Sequence, residues 1–212
     1  MERRRKKRII LCIAGILLIW YIFCLPRNLF QVPYSTVVTD RDGELLGARI
    51  SDDGQWRFPP RESVPDKLKT CIIEFEDNYY HWLWGVNPLA VGRAAIQNIK
   101  ESRVVSGGST ITMQTIRLSR KESRTWYEKI IEMILATRLE FRYSKNKILA
   151  LYTSHAPYGG KVVGLDAAAW RYFGHDADEL SWAEAATLAV LPNAPSAIHL
   201  SKSRDALLRK RN

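Results

Sequence analysis

The sequence has 212 residues, of which 46% are hydrophobic and 25% charged, as expected for one globular domain with a short appendage. The formal net charge of +10 lies mostly at the two ends: residues 1–8 carry a net +5 and residues 201–212 a net +4, so residues 9–200 hold only +1. This distribution excludes a domain that binds nucleic acid through a broad basic face.

The first predicted element is a single transmembrane helix over residues 9–25. These seventeen residues carry no charge and correspond to a helix of about 26 Å, at the short end of a spanning length. An uncleaved signal-anchor is favoured over a cleaved signal peptide, because residues 23–26 offer no small-x-small cleavage site. Six Lys or Arg residues within residues 1–8 predict a cytoplasmic tail, which leaves the rest of the chain outside the cytoplasmic (inner) membrane.

Residues 26–60 are predicted to form a stalk and a small β-hairpin region. Apolar and polar residues alternate within residues 34–58, around the turn sequences DRDG and DDG. After two prolines at 59 and 60 the pattern becomes helical. We therefore expect a mainly α domain over residues 61–200, and the start of a linker or a truncated C-terminus in residues 201–212.

Seven helices are predicted in the body from the spacing of apolar residues. The last has an S-x-x-E capping box formed by Ser181 and Glu184, and Pro192 stops it. Gly174 lies where a helix C-terminal glycine is expected. The predicted helices run from Asp66 to Tyr80, Pro88 to Lys100, Thr110 to Leu118, Arg124 to Tyr143, Lys145 to Tyr152, Leu165 to Phe173 and Trp182 to Leu191.

The first candidate site is the sequence EDNYY at 76–80, which is followed by two tryptophans. A carboxylate beside aromatic rings, such as Glu76 or Asp77, can have a raised pKa and serve as a general base. The alternative interpretation of this pair is the solvated end of a helix.

The second candidate site is GGSTITMQ at 107–114. Its two glycines allow the backbone to approach a ligand closely. The hydroxyls of Ser109 and Thr110 can cap the following helix or bind an anion at its N-terminus. The alternative is an ordinary Gly-Ser turn with a helix cap.

The third candidate site is EKIIE at 128–132. Lys129 and Glu132 are three residues apart, so they share one face of a helix. The alternative for such a pair is an exposed surface ion pair.

Together and in this order, the three motifs resemble glycosyltransferase family 51, the peptidoglycan glycosyltransferase domains of class A penicillin-binding proteins. The likeness covers about residues 35–200, including the blocks EDNYYHWLWGVNP, APYGGKVVGLDAAAWRYFG and LSWAEAATLAVLPNAPS. The family's G-x-S-T-x-T-x-Q block is matched by residues 107–114. Its Glu-Asp pair with a following aromatic residue and glycine is matched by Glu76, Asp77, Tyr80 and Gly85.

The resemblance implies a lysozyme-like fold and transfer of a growing glycan strand from undecaprenyl diphosphate to the sugar of an incoming lipid II, with inversion. Glu76 matches the family's general base, and the resemblance implies Glu132 as the second catalytic carboxylate, which is expected to orient the cations and the donor sugar. Arg117 and Lys129 are expected to stabilise the leaving diphosphate. The complete set of implied substrate-binding residues is Asp77, Tyr80, Ser109, Thr110, Gln114, Arg117 and Lys129.

The sequence departs from the family at three places. Leu83 stands where the family has His, Glu128 where it has a basic residue, and Thr153 with Ser154 where it has Leu-Asn. Leu83 and Glu128 motivate one alternative, an inactive scaffold for wall-synthesis proteins. A lysozyme-like wall hydrolase is the other alternative, because hydrolases also place two carboxylates beside a sugar.

The implied partners are lipid II, the growing glycan strand and membrane lipid, with a transpeptidase and divisome or elongasome proteins as further candidates. Nucleic acid is not expected. No cofactor is certain, and a divalent cation, Mg or Mn, is left open. The three cysteines have no spacing typical of a metal site or a disulfide framework.

Overall fold

The computed structural model describes residues 2–101, 107–123 and 125–192, in which helices dominate. The mainly α fold class is confirmed. The predicted segment 201–212 and the predicted helix start at Arg124 lie outside the described residues. The helices are α1 (Glu2–Phe23), α2 (Asp66–Glu76), α3 (Pro88–Lys100), α4 (Ile111–Arg120), α5 (Trp126–Arg142), α6 (Lys145–His155), α7 (Leu165–Phe173) and α8 (Trp182–Val190).

Helix α1 joins the predicted basic tail and the apolar run in one continuous element. Its charge-free part, residues 9–23, is about 22 Å long, whereas the hydrocarbon core of a bilayer is about 30 Å thick. In the part of the chain that the structure describes, no helix is long and apolar enough to cross a membrane, so the predicted transmembrane helix over 9–25 is not supported. The C-terminal end of α1 lies against α5, where Arg138 donates a hydrogen bond of 3.1 Å to the carbonyl of Ile22.

The predicted hairpin is confirmed. Strands β1 (Thr36–Thr39) and β2 (Leu45–Arg49) pair in antiparallel fashion. The turn between them is closed by the carboxylate of Asp40, which accepts a hydrogen bond of 2.9 Å from the backbone N–H of Glu44. Gly43 has a φ of +91°, a left-handed conformation that favours glycine.

A second, three-stranded sheet was not predicted. It has the order β3-β5-β4, with β3 (Trp56–Arg57) parallel to β5 (Val162–Val163) and β4 (Pro157–Gly159) antiparallel to it. Strands of two or three residues are too short to show alternation in a sequence. Through this sheet, the segment that precedes the helical domain pairs with residues 157–163 in the C-terminal half of the domain.

Helix α4 lies at the centre of the domain, where it packs against both α5 and α6, while α2 packs against α8. Its apolar side chains Ile111, Met113 and Ile116 are fully buried, and each such side chain contributes about 1.5–3 kcal/mol. The buried hydroxyl of Thr112 donates a 2.6 Å hydrogen bond to Glu140 on α5. Because its apolar side chains are packed and its buried hydroxyl is hydrogen-bonded, α4 can hold its remaining side chains at fixed positions.

Several helix ends differ from the sequence prediction. Helix α2 stops at Glu76 rather than Tyr80, because Asp77 turns out of the helix, with a φ of −161° and a ψ of 78°. Helix α5 begins at Trp126, and α6 continues to His155. The glycine at the end of α7 and the capping box of α8 are confirmed.

Candidate active site

A cavity of about 610 Å³ lies between the end of α2, the start of α3 and the loop that precedes α4. Four of the predicted site residues line it: Glu76, Asp77, Ser109 and Thr110. The lining also contains Asn78, Tyr79, Leu83, Asn87, Leu89, Ala90, Arg93, Gly107 and Gly108. The first two candidate motifs, 31 residues apart at Glu76 and Gly107, are therefore brought together around one opening.

Glu76 is the last residue of α2, and Gln114 on α4 holds its carboxylate. The amide Nε2 of Gln114 donates a 2.7 Å hydrogen bond to Oε2 of Glu76. The hydroxyl of Tyr152 on α6 donates a longer hydrogen bond, 3.4 Å, to Oε1 of the same amide. Gln114 thus contacts the candidate base, and it is not among the residues that line the cavity.

Asp77 caps the start of α4 from the side. Its Oδ2 accepts a hydrogen bond of 3.2 Å from the backbone N–H of Ile111. Burial raises the pKa of Asp77, while that hydrogen bond and the positive charge of Lys145 act in the opposite direction. The carboxylate therefore joins α2 to α4 and sets the shape of the cavity wall.

Tyr80 lies in the interior and is not among the residues that line the cavity. Its hydroxyl donates a 2.7 Å hydrogen bond to the backbone carbonyl of Lys145. The ammonium of Lys145 lies 4.6 Å from the Tyr80 ring centroid and donates a 2.7 Å hydrogen bond to the carbonyl of Leu83. Tyr80 and Lys145 together fix the loop after Glu76.

The second glycine before α4, Gly108, allows close packing of the backbone. A methyl group added to Gly108 would lie 2.6 Å from the carbonyl carbon of Ala90, so only glycine allows the loop to touch α3 so closely. The predicted close approach is therefore to another part of the backbone. The hydroxyl of Thr110 caps α4 by accepting from Met113 N–H at 3.1 Å, and it donates to the carbonyl of Gly85 at 2.6 Å.

The third motif forms a buried charge cluster. Glu132 on α5 is only 6% exposed, which excludes the interpretation of an exposed ion pair. Its two carboxylate oxygens face two cations: Lys129 Nζ lies 3.6 Å from Oε2 and Arg117 Nε lies 4.0 Å from Oε1. Lys129 also donates a hydrogen bond to the hydroxyl of Ser109, so this cluster reaches the cavity wall.

Helix α4 connects the two candidate carboxylates. Gln114 and Arg117 are three residues apart and so share one helix face. The first contacts Glu76, and the second, one turn later, faces Glu132.

The three departures from the family pattern have distinct positions. Leu83 lines the cavity, whereas Thr153 and Ser154 are buried in the domain. Glu128 forms a bidentate pair with Arg120, in which Nε and Nη2 lie 3.0 Å from the carboxylate oxygens. The acidic residue at 128 is therefore neutralised within the protein.

No group of three or more His, Cys, Asp or Glu side chains is arranged to hold a metal ion within residues 2–101, 107–123 and 125–192. The cations Arg117 and Lys129 supply the positive charge beside the candidate site.

Sequence reasoning missed three contributors to the site. Tyr152 is the last residue of the predicted helix 145–152, to which no site motif was assigned. Lys145 carried no motif. Arg93 lines the cavity from α3, four residues after Leu89, and that i, i+4 spacing was the one available signal.

A mainly helical domain that presents one carboxylate at an open cavity, and a second carboxylate between two cations, has the groups needed to transfer a sugar from a charged leaving group. Comparison with known proteins agrees with this class. The family model described as transglycosylase matches residues 42–212. The chain belongs to this transglycosylase family.

Its relatives include penicillin-binding protein 1C of Escherichia coli K12, with 43% identity over 81% of this chain. Penicillin-binding protein 1A of Aquifex aeolicus is 33% identical over 97% of the chain, and penicillin-binding protein 1A/1B of Bacillus subtilis is 31% identical over 89%. The aligned regions are 22%, 30% and 21% of those three proteins, so the chain spans less than a third of each relative.

Proposed function

We propose that this chain is a peptidoglycan glycosyltransferase that polymerises glycan strands from lipid II and releases undecaprenyl diphosphate. The observation that carries the proposal is the pairing of a carboxylate at the cavity, Glu76, with the cation cluster around Glu132, which contacts the same face of α4 one turn later. Family membership supports the same reaction.

The first half of the reaction is proton removal. Glu76 accepts the proton of the acceptor sugar's hydroxyl as that oxygen forms a bond to the anomeric carbon of the donor strand. The bond between the anomeric carbon and the diphosphate oxygen breaks on the opposite face, so the configuration inverts. The position of Glu76 at the cavity wall, held by Gln114, suits this role.

The second half is release of the diphosphate, which leaves with the electron pair of the broken bond. Arg117 and Lys129 provide positive charge where that negative charge develops. Glu132 fixes the two cations relative to each other. The contact of Lys129 with Ser109 brings its ammonium to the cavity edge.

The remaining site residues have supporting roles in this proposal. Ser109 and the backbone before α4 bind the donor, and Thr110 shapes the loop because both of its hydroxyl contacts lie within the protein. Asp77 and Tyr80 position the loop that carries the acceptor side of the cavity.

The cation cluster favours a transferase over a wall hydrolase. Hydrolysis of a glycosidic bond releases an uncharged sugar, and two cations have no developing charge to stabilise there. A diphosphate leaving group develops negative charge that both cations can stabilise. The hydrolase remains an outcome of the assay below.

We also propose that the domain works outside the cytoplasmic membrane on a lipid-linked substrate, with the N-terminus inside. The support is the block of six basic residues before the charge-free run of α1. Membrane lipid, a transpeptidase and divisome or elongasome proteins are the partners that fit this placement. Protease protection of the domain in sealed inside-out vesicles, with digestion in opened vesicles, tests the orientation.

The test of activity is incubation of the detergent-solubilised chain with labelled lipid II, followed by separation of polymer, free disaccharide and unreacted substrate. We expect the parent chain to form polymer and the Glu76→Gln variant to form none. Free disaccharide would assign a hydrolase instead. Binding of lipid II without any product would assign a scaffold.

A further inference from the structure

Two buried tyrosines near the site differ in one respect. Tyr152 on α6 is 1% exposed and Tyr158 on β4 is 0% exposed. The hydroxyl of Tyr152 contacts Oε1 of Gln114 at 3.4 Å. The hydroxyl of Tyr158 has no hydrogen-bond partner among the residues that the structure describes.

The contact with Tyr152 distinguishes the two ends of the Gln114 amide. A carboxamide has an acceptor oxygen and a donor NH₂ group, and rotation by half a turn exchanges them. Burial raises the pKa of Tyr152 well above its usual range, so the phenol stays neutral and keeps its proton to donate. Donation to Oε1 directs Nε2 at Glu76, where its hydrogen bond is 2.7 Å long.

The opposite orientation is unfavourable. It would place the amide oxygen against an anionic carboxylate and the NH₂ group against a hydroxyl that has a proton to donate. The charged and titratable groups that act on the Tyr152 phenol are Glu76, Tyr158 and Arg117, which lies one turn along α4 from Gln114.

We propose that Gln114 is a positioning residue for the base Glu76, and that the buried hydroxyl of Tyr152 fixes the orientation of its amide. This inference rests on the proposed function, because it needs Glu76 to be the base. Gln114 then acts through Glu76, by fixing its rotamer and by favouring its ionised form, and does not act by binding the donor sugar.

The proposal predicts changes in the pH dependence of turnover. Gln114→Ala removes a hydrogen bond to a charged group, so we expect kcat to fall about 10- to 100-fold with little change in KM. The acid limb of the pH–rate profile should move to higher pH by about one unit, because the base becomes easier to protonate. Tyr152→Phe should shift the limb in the same direction by less, since its contact is longer.

Tyr158→Phe is the matched control, because it removes an equally buried hydroxyl that has no hydrogen-bond partner within the described part of the chain. We expect its kcat and pH profile to equal those of the parent. Gln114→Glu is the second variant, since it keeps the shape of the side chain and replaces the donor by a carboxylate. It should move the acid limb further than Gln114→Ala. Thermal unfolding of each variant separates these effects from loss of fold.

The experiment is the pH dependence of lipid II polymerisation for the parent chain and these variants, together with Glu76→Gln. A higher KM in Gln114→Ala, with kcat and the acid limb unchanged, would show that Gln114 binds substrate, and the proposal would be wrong. If Tyr152→Phe and Tyr158→Phe had the same kcat and pH–rate profile, Tyr152 would have no part in positioning Gln114. Parent-like polymerisation by Glu76→Gln would instead overturn the proposed function itself.

Discussion

The two carboxylates of the site, Glu76 and Glu132, contact the same helix and have opposite surroundings. Glu76 accepts a hydrogen bond from the neutral amide of Gln114, at a cavity open to solvent. Glu132 is buried between the cations Arg117 and Lys129. In the proposed reaction the same type of side chain accepts a proton in one case and holds positive charge in the other. The partners of a carboxylate, more than the carboxylate itself, determine its role.

The largest expected effect comes from removing the base. Glu76→Gln keeps the size of the side chain and should lower polymerisation by at least about 10²- to 10⁴-fold, the usual contribution of a general base. Turnover of labelled lipid II measures the loss, and circular dichroism checks the fold. Glu74→Gln is the matched control, because it makes the same change two residues earlier at an exposed position of α2 and should leave activity unchanged.

The next effect tests the cationic side of the comparison. Lys129→Ala should slow turnover by about 10²- to 10³-fold, because charge stabilisation is lost where the diphosphate leaves. Its melting temperature should also fall, because the buried Glu132 loses a partner, but Arg117 still faces that carboxylate and limits the loss of stability.

Lys147→Ala serves as the control for Lys129. Lys147 pairs with the exposed Glu62 at 3.4 Å and lies away from the site, so its loss should leave turnover intact. A Lys129→Ala protein with parent kinetics and a lowered melting temperature would make its cluster a structural ion pair. The contrast between the two carboxylates would then have no functional meaning.

The smallest effect concerns the cavity wall beside Glu76. Leu83 is half-buried and lines the cavity at the position where the family has His. Leu83→His should raise turnover by up to about tenfold, which is the effect of one additional hydrogen bond of about 1.4 kcal/mol. A response to added divalent cation should be measured in the same assay.

The melting temperature must accompany that measurement, because a newly buried imidazole is destabilising unless it finds a partner. A stable Leu83→His protein with unchanged turnover would show that leucine does not limit the reaction. The cavity side of the site would then be adapted to leucine.

The sequence predicted those parts of the fold that depend on local signals. The capping box of Ser181 and Glu184 and the glycine at 174 are chemical properties of a few neighbouring residues, and both ends are where they were expected. The pairing of β3 with β5 was not predicted, because it joins residues more than 100 positions apart through strands of two residues. Such a pairing is decided by tertiary packing.

The sequence predicted which residues belong to the candidate site, but only partly how their side chains are arranged. The motifs identified Glu76, Lys129 and Glu132, which the structure places at or beside one cavity. They gave no sign that Tyr80 would turn inward or that Gln114 would face Glu76. Both depend on contacts between helices, such as the hydrogen bond that Asp77, where α2 ends, accepts from the start of α4.

Helix α5 also sets the distance between the charge cluster and the point where the chain leaves α1. Near its start it carries Lys129, and near its end Arg142 donates a 2.6 Å hydrogen bond to the carbonyl of Pro26, just after α1. These two positions are thirteen residues apart, or about 20 Å along the helix. The length of α5 therefore fixes the separation between the end of α1 and the charge cluster. A single residue inserted between them would lengthen that separation by about 1.5 Å and turn the cluster by about 100°, so both the height and the direction of the cations are fixed by the residue count of one helix.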